Sequence, residues 1–356
     1  LVRVIEIRDG THGYSLRSPA RLISSEKAFS EILPGQKIRL QALVQPSKEG
    51  RVAALLINKG SFVIQSEASR WARSLDRIRD GLRAASGTGD SGALIPGMVL
   101  GDTSLQSATF KNEMRRSGLT HLVAVSGANF AIVSSFVLWG MQFLFRRKSY
   151  RIIATAIALF CFIALVRPSP SVLRAAAMAA VLLSALATKR ATDSLPALGF
   201  AIVAVVLGDP WQSRDAGFAL SVLATAGLLL FAPIIESNLP THKKLAGALA
   251  PPIAVTVFCS PILVALSGYL SPMSIIANLL AAPFVGPITI VGFIAAVISP
   301  FAPALTSILM YIIRVPAEAI VGIAHWSSGF PVLTIHNGKI GFAIVAMIVM
   351  FFWLFK

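Results

Sequence analysis

The chain has 356 residues, of which 55% are hydrophobic and 13% are charged, and its formal net charge is +16. Soluble domains are about 45–50% apolar and about 25% charged, so this composition excludes an ordinary soluble protein and predicts a polytopic membrane protein with a smaller polar part. Excess positive charge attracts polyanions, but in a membrane protein it more often marks the cytoplasmic loops. Cys161 and Cys259 lie in apolar runs, so we expect no structural disulfide. Because the chain begins directly in a polar region, we expect further sequence upstream in the whole protein.

Residues 1–67 form the polar part, and their pattern predicts a small β domain. Short β-rich runs, such as KIRLQALV at 37–44, alternate with turn signals such as Lys59-Gly60. Several short strands in a domain of this size are typical of a small closed or partly closed barrel, and we expect an OB-like fold. Candidate DNA-binding residues are Arg3, Lys37, Arg39 and Arg51. Stacking aromatic residues are scarce, however, and a solvated strand face explains the same cations.

Residues 68–92 follow as a basic amphipathic helix and a linker. Trp71, Leu75, Ile78 and Leu82 recur at helical spacing among five arginines. A helix of this kind is suited to the membrane surface, and it serves equally well as a linker helix.

Residues 93–356 form the predicted transmembrane domain, a mainly α-helical bundle, because a span takes about 20 mostly apolar residues. The candidate spans are 119–145, 152–166, 171–187, 195–207, 216–235, 246–267, 273–297, 304–323 and 340–355. Cationic clusters follow the first, third and fifth spans, at 146–151, 189–190 and 243–244. Under the positive-inside rule all three clusters are cytoplasmic, which places the β domain on the extracytoplasmic side of a cytoplasmic (inner) cell membrane.

The stretch from Gly101 to Val133 carries polar side chains into the first span. On a continuous helix over 119–145, His121 and Asn129 lie on one broad face, and Ser126 is one turn from Asn129. Such residues either bond to neighbouring helices or line a passage, and this stretch alone favours neither.

Other polar or helix-breaking residues complete the candidate substrate path. The full set is Asp102, His121, Ser126, Asn129, Arg174, Asp215, Ser221, Thr225, Asn278 and Pro283. Simpler roles are available for several charges: Arg174 at a span end is expected to snorkel to the interface, Asp209 and Asp215 to cap helices, and Arg314 to pair with Glu318. The segment NLLAAPFVGPITIVG at 278–292 predicts either a broken helix, as found in transport pathways, or a proline kink. A break at Pro283 would allow a hairpin.

Several enzyme classes lack their sequence signals. The chain has no Walker A motif and no HExxH motif, and its five histidines form no close-spaced cluster. An intramembrane hydrolase using Ser126 and His121 is conceivable, but no third orienting residue is identifiable. We therefore expect no enzymatic activity, no metal and no cofactor.

Four long strings resemble the ComEC family of bacterial competence membrane proteins. They are GLTHLVAVSGANFAIV at 118–133, RAAAM at 174–178, DPWQSRDAGFALSVLATAGLLL at 209–230 and SPMSIIANLLAAPFVGPITIVG at 271–292. The β domain resembles the external OB-like domain of that family, mainly by its position. Many members carry a further metallo-β-lactamase-like domain, but its HxHxDH-type motif is missing here.

The resemblance implies a channel that passes one strand of DNA across the cytoplasmic membrane during natural transformation. It also implies an external DNA receptor and a cytosolic ATPase as partners, beside membrane lipid and single-stranded DNA. The expected path is lined from 120–130, 174–178, 215–225 and 274–292. The alternative is a small-solute transporter or ion channel with an external accessory domain, since polar and broken segments serve it equally well.

Overall fold

A computed structural model describes residues 2–9, 12–24, 29, 32–47, 49–123, 125–166, 170–188, 193–335 and 338–354. Four strands form the N-terminal sheet: β1 (Val2–Asp9), β2 (His12–Ile23), β3 (Lys37–Pro46) and β4 (Ala54–Ser66). Thirteen α-helices are present in the described chain: α1 (Arg70–Ala85), α2 (Gly89–Leu100), α3 (Ala108–Arg116), α4 (Gly127–Leu144), α5 (Lys148–Val166), α6 (Pro170–Thr188), α7 (Ser194–Gly208), α8 (Ala216–Leu230), α9 (Ala232–Asn238), α10 (Lys243–Ser267), α11 (Ser274–Ile298), α12 (Pro303–Ser328) and α13 (Gly338–Leu354). Strands β5 (Tyr269–Leu270) and β6 (Leu333–Thr334) form a small ladder between the later helices.

The N-terminal sheet is open in the described residues, so the predicted small barrel does not close. The strand order is β1-β2-β4-β3, with antiparallel pairs at both ends of the order and a parallel pair of β2 with β4 in the middle. That middle ladder joins only residues 20–23 to 54–57. Closure needs β1 to pair with β3, and in the described residues these strands are opposite edges.

The helices follow the predicted spans closely, and the chain is a membrane protein. Within the described residues, five helices (α4, α5, α10, α11 and α12) are long and apolar enough to cross a bilayer. The consecutive helices α8 and α9 form a sixth span if their 43° bend is counted as a break within one span. The apolar parts of α6, α7 and α13 are shorter, so fewer helices meet the length requirement than the nine predicted.

Helix α11 is continuous through its prolines, so neither the predicted break nor a hairpin at Pro283 forms. Pro283 and Pro287 both lie inside the helix, and the Asn278 side chain donates to the carbonyl of Ser274 within it at 2.7 Å. A proline removes one backbone hydrogen bond, and packing against neighbouring helices tolerates that loss in a membrane bundle. Helix α11 packs along α12, and its Ala281, Val285 and Ile288 side chains are buried in their shared core.

Helix α1 packs against the bundle through its apolar face. Leu82 is fully buried, and the Ser299 hydroxyl after α11 donates to the carbonyl of Ile78 at 3.2 Å. Arg79 is also buried, and its guanidinium donates to the carbonyls of Ala164 and Leu165 at the end of α5, both at 3.0 Å. The helix therefore satisfies backbone carbonyls that the C-terminal end of α5 leaves unpaired.

Helix α2 is the centre of the main core. Every residue from Ser91 to Leu100 is buried, although a helix of this length is too short to span a bilayer. It packs against α11 and α12, and the main-chain carbonyl of Met98 accepts a hydrogen bond from the side chain of Asn129 on α4 at 3.1 Å. This contact fixes the first turn of α4 against the core.

Candidate functional site

Helix α4 begins at Gly127, later than the predicted start of the span. Ser126 is its N-cap, and the serine Oγ accepts from the backbone N–H of Asn129 at 3.3 Å. His121 lies in a separate 3-10 turn and is exposed, so the prediction that it shares a helix face with Asn129 is wrong. The N-cap serine is the physical reason, since its hydroxyl satisfies a backbone donor that a helix continuing from 119 would already have used.

Arg174 is the most buried of the predicted charged path residues, with 5% of its surface exposed. Its Nε and Nη2 atoms donate to the Ser221 hydroxyl on α8 at 3.0 and 2.7 Å, and Nη1 donates to the Thr225 hydroxyl at 2.6 Å. The expectation that Arg174 snorkels to the interface is therefore wrong. Its side chain instead joins α6 to α8 inside the bundle, because two hydroxyls one turn apart on α8 match the guanidinium fork.

The first residue of α4 lies directly against this guanidinium. A β-carbon built at Gly127 would be 2.8 Å from Arg174 Nη2, so a larger residue there would require the end of the arginine side chain to shift. The N-terminal end of a helix carries a partial positive charge. The buried cation and the positive end of α4 therefore face each other, and each makes the other less favourable.

No carboxylate of the described residues forms an ion pair with Arg174. A charge at the bilayer centre costs about 2.5–3.5 kcal/mol on the insertion scale, and buried cations are normally paired. Neutral hydroxyls accept the guanidinium protons but do not cancel the charge. An anion at the junction of α4, α6 and α8 would compensate both the guanidinium and the helix end.

The hydroxyls of Ser221 and Thr225 differ in whether their protons are available for a further hydrogen bond. Thr225 Oγ1 donates its proton to the backbone carbonyl of Ser221 at 3.0 Å. Ser221 Oγ accepts two guanidinium protons, which leaves its own proton free to donate to an anion oxygen. We name this group of Arg174, Ser221, Thr225 and Gly127 the Arg174 site.

Asp215 does not reach the Arg174 site; it caps α8, as predicted, and binds the N-terminal domain. Its Oδ1 accepts from the backbone N–H of Phe218 at 3.0 Å, and its Oδ2 lies 3.3 Å from Nη1 of Arg51 in the turn between β3 and β4. Asp209 likewise caps the preceding 3-10 helix, as predicted. The sheet is thus joined to the end of α8 at which Ser221 lies.

Asp102 forms a separate polar contact after the end of α2. It pairs with Arg83 of α1 through a short charge-assisted hydrogen bond, and its Oδ1 accepts from the hydroxyl and the backbone N–H of Ser104 at 2.7 and 3.0 Å. Burial by itself raises the pKa of Asp102, but the hydrogen bonds from Ser104 and Arg83 outweigh it, so the pKa lies below its usual value. The carboxylate is therefore ionised at neutral pH and holds α1 to the loop after α2.

The remaining predicted residues are dispersed. Asn278 and Pro283 lie on α11, and none of their contacts reaches Arg174. Ser126 is half-buried at the start of α4, where its hydroxyl contacts Asn129 and not His121. On the sheet, the exposed Arg3 is on one edge strand, and the exposed Lys37 and Arg39 are on the opposite edge strand. The four candidate DNA-binding cations therefore do not share one strand, and Arg51 is engaged with Asp215.

Sequence reasoning missed two residues that shape these contacts. Gly127 was not singled out, because it lies in a stretch of small residues. A glycine directly after an N-cap serine in a membrane helix nevertheless indicates that a neighbouring group approaches the helix closely. Arg83 was taken as one more cation of an amphipathic helix, and only the fold brings it to Asp102. Arg314 and Glu318 pair at 2.8 Å on α12, as predicted.

Comparisons with known proteins identify the family. Residues 98–356 match the model of the family described as "Competence protein". The chain is 25% identical over 209 residues to ComE operon protein 3 of Bacillus subtilis (strain 168); the match covers 59% of this chain and 26% of that protein. The chain thus spans about a quarter of the relative's length, and no solved structure matches it. The chain belongs to the ComEC competence protein family, as its sequence motifs predict.

Proposed function

We propose that the chain is a membrane channel for single-stranded DNA in natural transformation, and that the strand passes the Arg174 site. One observation carries the proposal: a buried guanidinium faces the N-terminal end of α4, and its partners in the described residues are neutral, namely two hydroxyls and the Met178 sulfur. Family membership supports a role in competence DNA uptake.

The chemistry of the strand fits this site. Each nucleotide adds one phosphate charge, which does not enter hydrocarbon without compensating groups. Arginine binds phosphate oxygens through two parallel N–H groups, and a helix N-terminus adds backbone donors and positive potential. The hydroxyls of Ser221 and Thr225 hold the guanidinium in place when no phosphate is bound.

The site is closed in this structure, so passage requires α4 and α8 to separate around α6. Alanines at 175–177 and 179–180 give α6 a narrow surface, against which neighbouring helices can pack closely beside the site. A phosphate that binds Arg174 replaces its hydroxyl contacts to α8 and so weakens one link between the helices. The opening is thereby coupled to the presence of the substrate.

The same geometry supports an orientation. The N-terminal halves of α4, α6 and α8 meet at Arg174, and the N-terminal sheet contacts the start of α8 through Arg51. The basic residues 146–151 follow the C-terminal end of α4. The basic residues 243–244 begin α10, after the C-terminal end of the α8–α9 segment. With these clusters in the cytoplasm, the sheet lies on the outer side, where an external DNA receptor delivers the strand; the third cluster, 189–190, lies outside the described residues. A cytosolic ATPase supplies the force, since the chain has no Walker A motif.

The competing function is passage of small anions, because the Arg174 site also fits an inorganic phosphate. Proteoliposomes containing the whole protein separate the two functions. A biotinylated single strand of DNA is added outside and captured by streptavidin inside, while phosphate and chloride entry are followed in parallel. We expect capture of single-stranded but not double-stranded DNA. Rapid phosphate entry without any captured strand would instead establish the small-anion transporter.

A further inference from the structure

A second polar cluster lies apart from the Arg174 site, where α2, α3 and α12 meet. Asp90 is in the first turn of α2, Glu113 is on α3 and His325 is in the last turn of α12. Glu113 Oε2 lies 2.6 Å from His325 Nδ1, and Asp90 Oδ2 lies 3.7 Å from His325 Nε2. One potential ligand atom from each of the three residues lies within 4.8 Å of the other two.

We propose that these three residues bind a divalent transition-metal ion. One imidazole and two carboxylates are a donor set used for Zn²⁺, Mn²⁺ and Fe²⁺, whereas Mg²⁺ and Ca²⁺ prefer oxygen ligands alone. The two carboxylates balance the charge of the ion. One nitrogen of the ring completes a three-residue site, which leaves a coordination position for water.

The Glu113 carboxylate gives independent support. Its Oε2 atom is shielded from solvent and has no hydrogen-bond partner among the described residues, in spite of its short distance to the imidazole nitrogen. With the proton on the other ring nitrogen, the lone pairs of Nδ1 and Oε2 face each other at this distance. A cation shared by the two atoms satisfies both lone pairs. The side chains of Asp90 and His325 are partly exposed, so an ion has a route of entry.

The surrounding structure holds the three ligands near one another before an ion arrives. Arg116 on α3 donates through Nε to the backbone carbonyl of Ser328 at the end of α12, at 2.9 Å. Helices α2 and α12 pack together along the main core. A bound ion would therefore link α2 and α3 to α12 and would stabilise the segment that leads into α4.

The test is a metal titration of the detergent-solubilised chain after removal of metal with EDTA. We expect one equivalent of Zn²⁺ or Mn²⁺ to remain after gel filtration, to raise Tm, and to give a nitrogen-containing ligand signature with Co²⁺ by absorption spectroscopy. His325→Gln and Glu113→Gln each weaken binding by more than about tenfold, the lower end of the loss seen for outer-shell partners. His242→Gln is the matched control, because His242 is exposed at the start of α10.

Equal metal content and equal Tm shifts in wild type and His325→Gln would overturn the proposal. The imidazole would then serve only to link the two carboxylates, and any bound ion would lie elsewhere. If a variant fails to fold, the Co²⁺ spectrum of the wild-type chain decides, since a spectrum of oxygen ligands only excludes His325. The result is independent of the Arg174 site, because none of the three readouts involves DNA.

Discussion

Arg174→Gln is expected to reduce transformation by on the order of 100-fold in cells that insert the protein normally. The substitution removes the cation that compensates each passing phosphate, and a charge at membrane depth is worth about 2.5–3.5 kcal/mol, where every 1.4 kcal/mol is tenfold. Arg174→Lys is expected to keep part of the activity, because an ammonium retains the charge but cannot fork between Ser221 and Thr225. DNase-resistant uptake of labelled DNA measures the effect.

Two further variants separate a role of Arg174 in transport from a purely structural role. Arg174→Leu is expected to leave Tm unchanged or to raise it, because replacing a buried, unpaired charge by an apolar side chain is often neutral or stabilising. Arg314→Gln is the matched control, since Arg314 is exposed and paired with Glu318 on α12. If Arg174→Leu unfolds the bundle while uptake by the folded fraction is normal, Arg174 serves only to join α6 to α8.

Gly118→Ala is expected to lower the free energy of unfolding by about 2–5 kcal/mol. Gly118 has φ +75, a conformation that costs an L-residue about 1–2 kcal/mol. A β-carbon there would also overlap the Cβ atom of Ser274 at the start of α11 and lie 3.2 Å from its Cα. Overpacking of this kind adds about 1–3 kcal/mol. Thermal unfolding in detergent checks the change.

The matched control for Gly118 is Gly140→Ala on α4. A β-carbon at Gly140 would meet no atom within 4 Å, so this variant is expected to be neutral or slightly more stable. Equal Tm values for the two variants would contradict the close approach of the loop before α4 to α11. That contact matters for the site because the same loop positions Ser126 and Gly127.

Hydropathy predicted where the helices lie but not how the polar residues meet. The spans 246–267 and 304–323 correspond to α10 and α12, because bilayer thickness sets the length of an apolar helix. Hydropathy could not place the start of α4, since Leu119, Leu122 and Val123 are as apolar as the helix that follows. Ser126, a good N-cap, was the available signal. The prolines led to the opposite error, a predicted break where the helix is continuous. The packing that tolerates Pro283 and Pro287 inside α11 cannot be predicted from residue spacing.

The Arg174 site was predicted in its members but not in its geometry. Arg174, Ser221 and Thr225 were named separately, yet the hydrogen bonds link positions 47 and 51 residues apart, which no local pattern reports. The same limit explains the error over the barrel, since pairing of β1 with β3 is a non-local contact that strand propensity does not specify. Burial of Arg174 could not be predicted, because snorkelling and burial begin from the same sequence position.

The central claim is that a DNA strand in transit lies beside Arg174, and cross-linking tests it most directly. Cys161 and Cys259 are replaced by alanine, and a single cysteine is introduced as Ala175→Cys, whose side chain adjoins Gly127. A strand carrying thiol-reactive groups is stalled during uptake by a bulky trailing end. Leu207→Cys on α7, where the native side chain is 78% exposed, is the control. The account predicts a DNA adduct at position 175 and none at position 207. Uptake that continues with no adduct at 175, or with equal adducts at both positions, would contradict it.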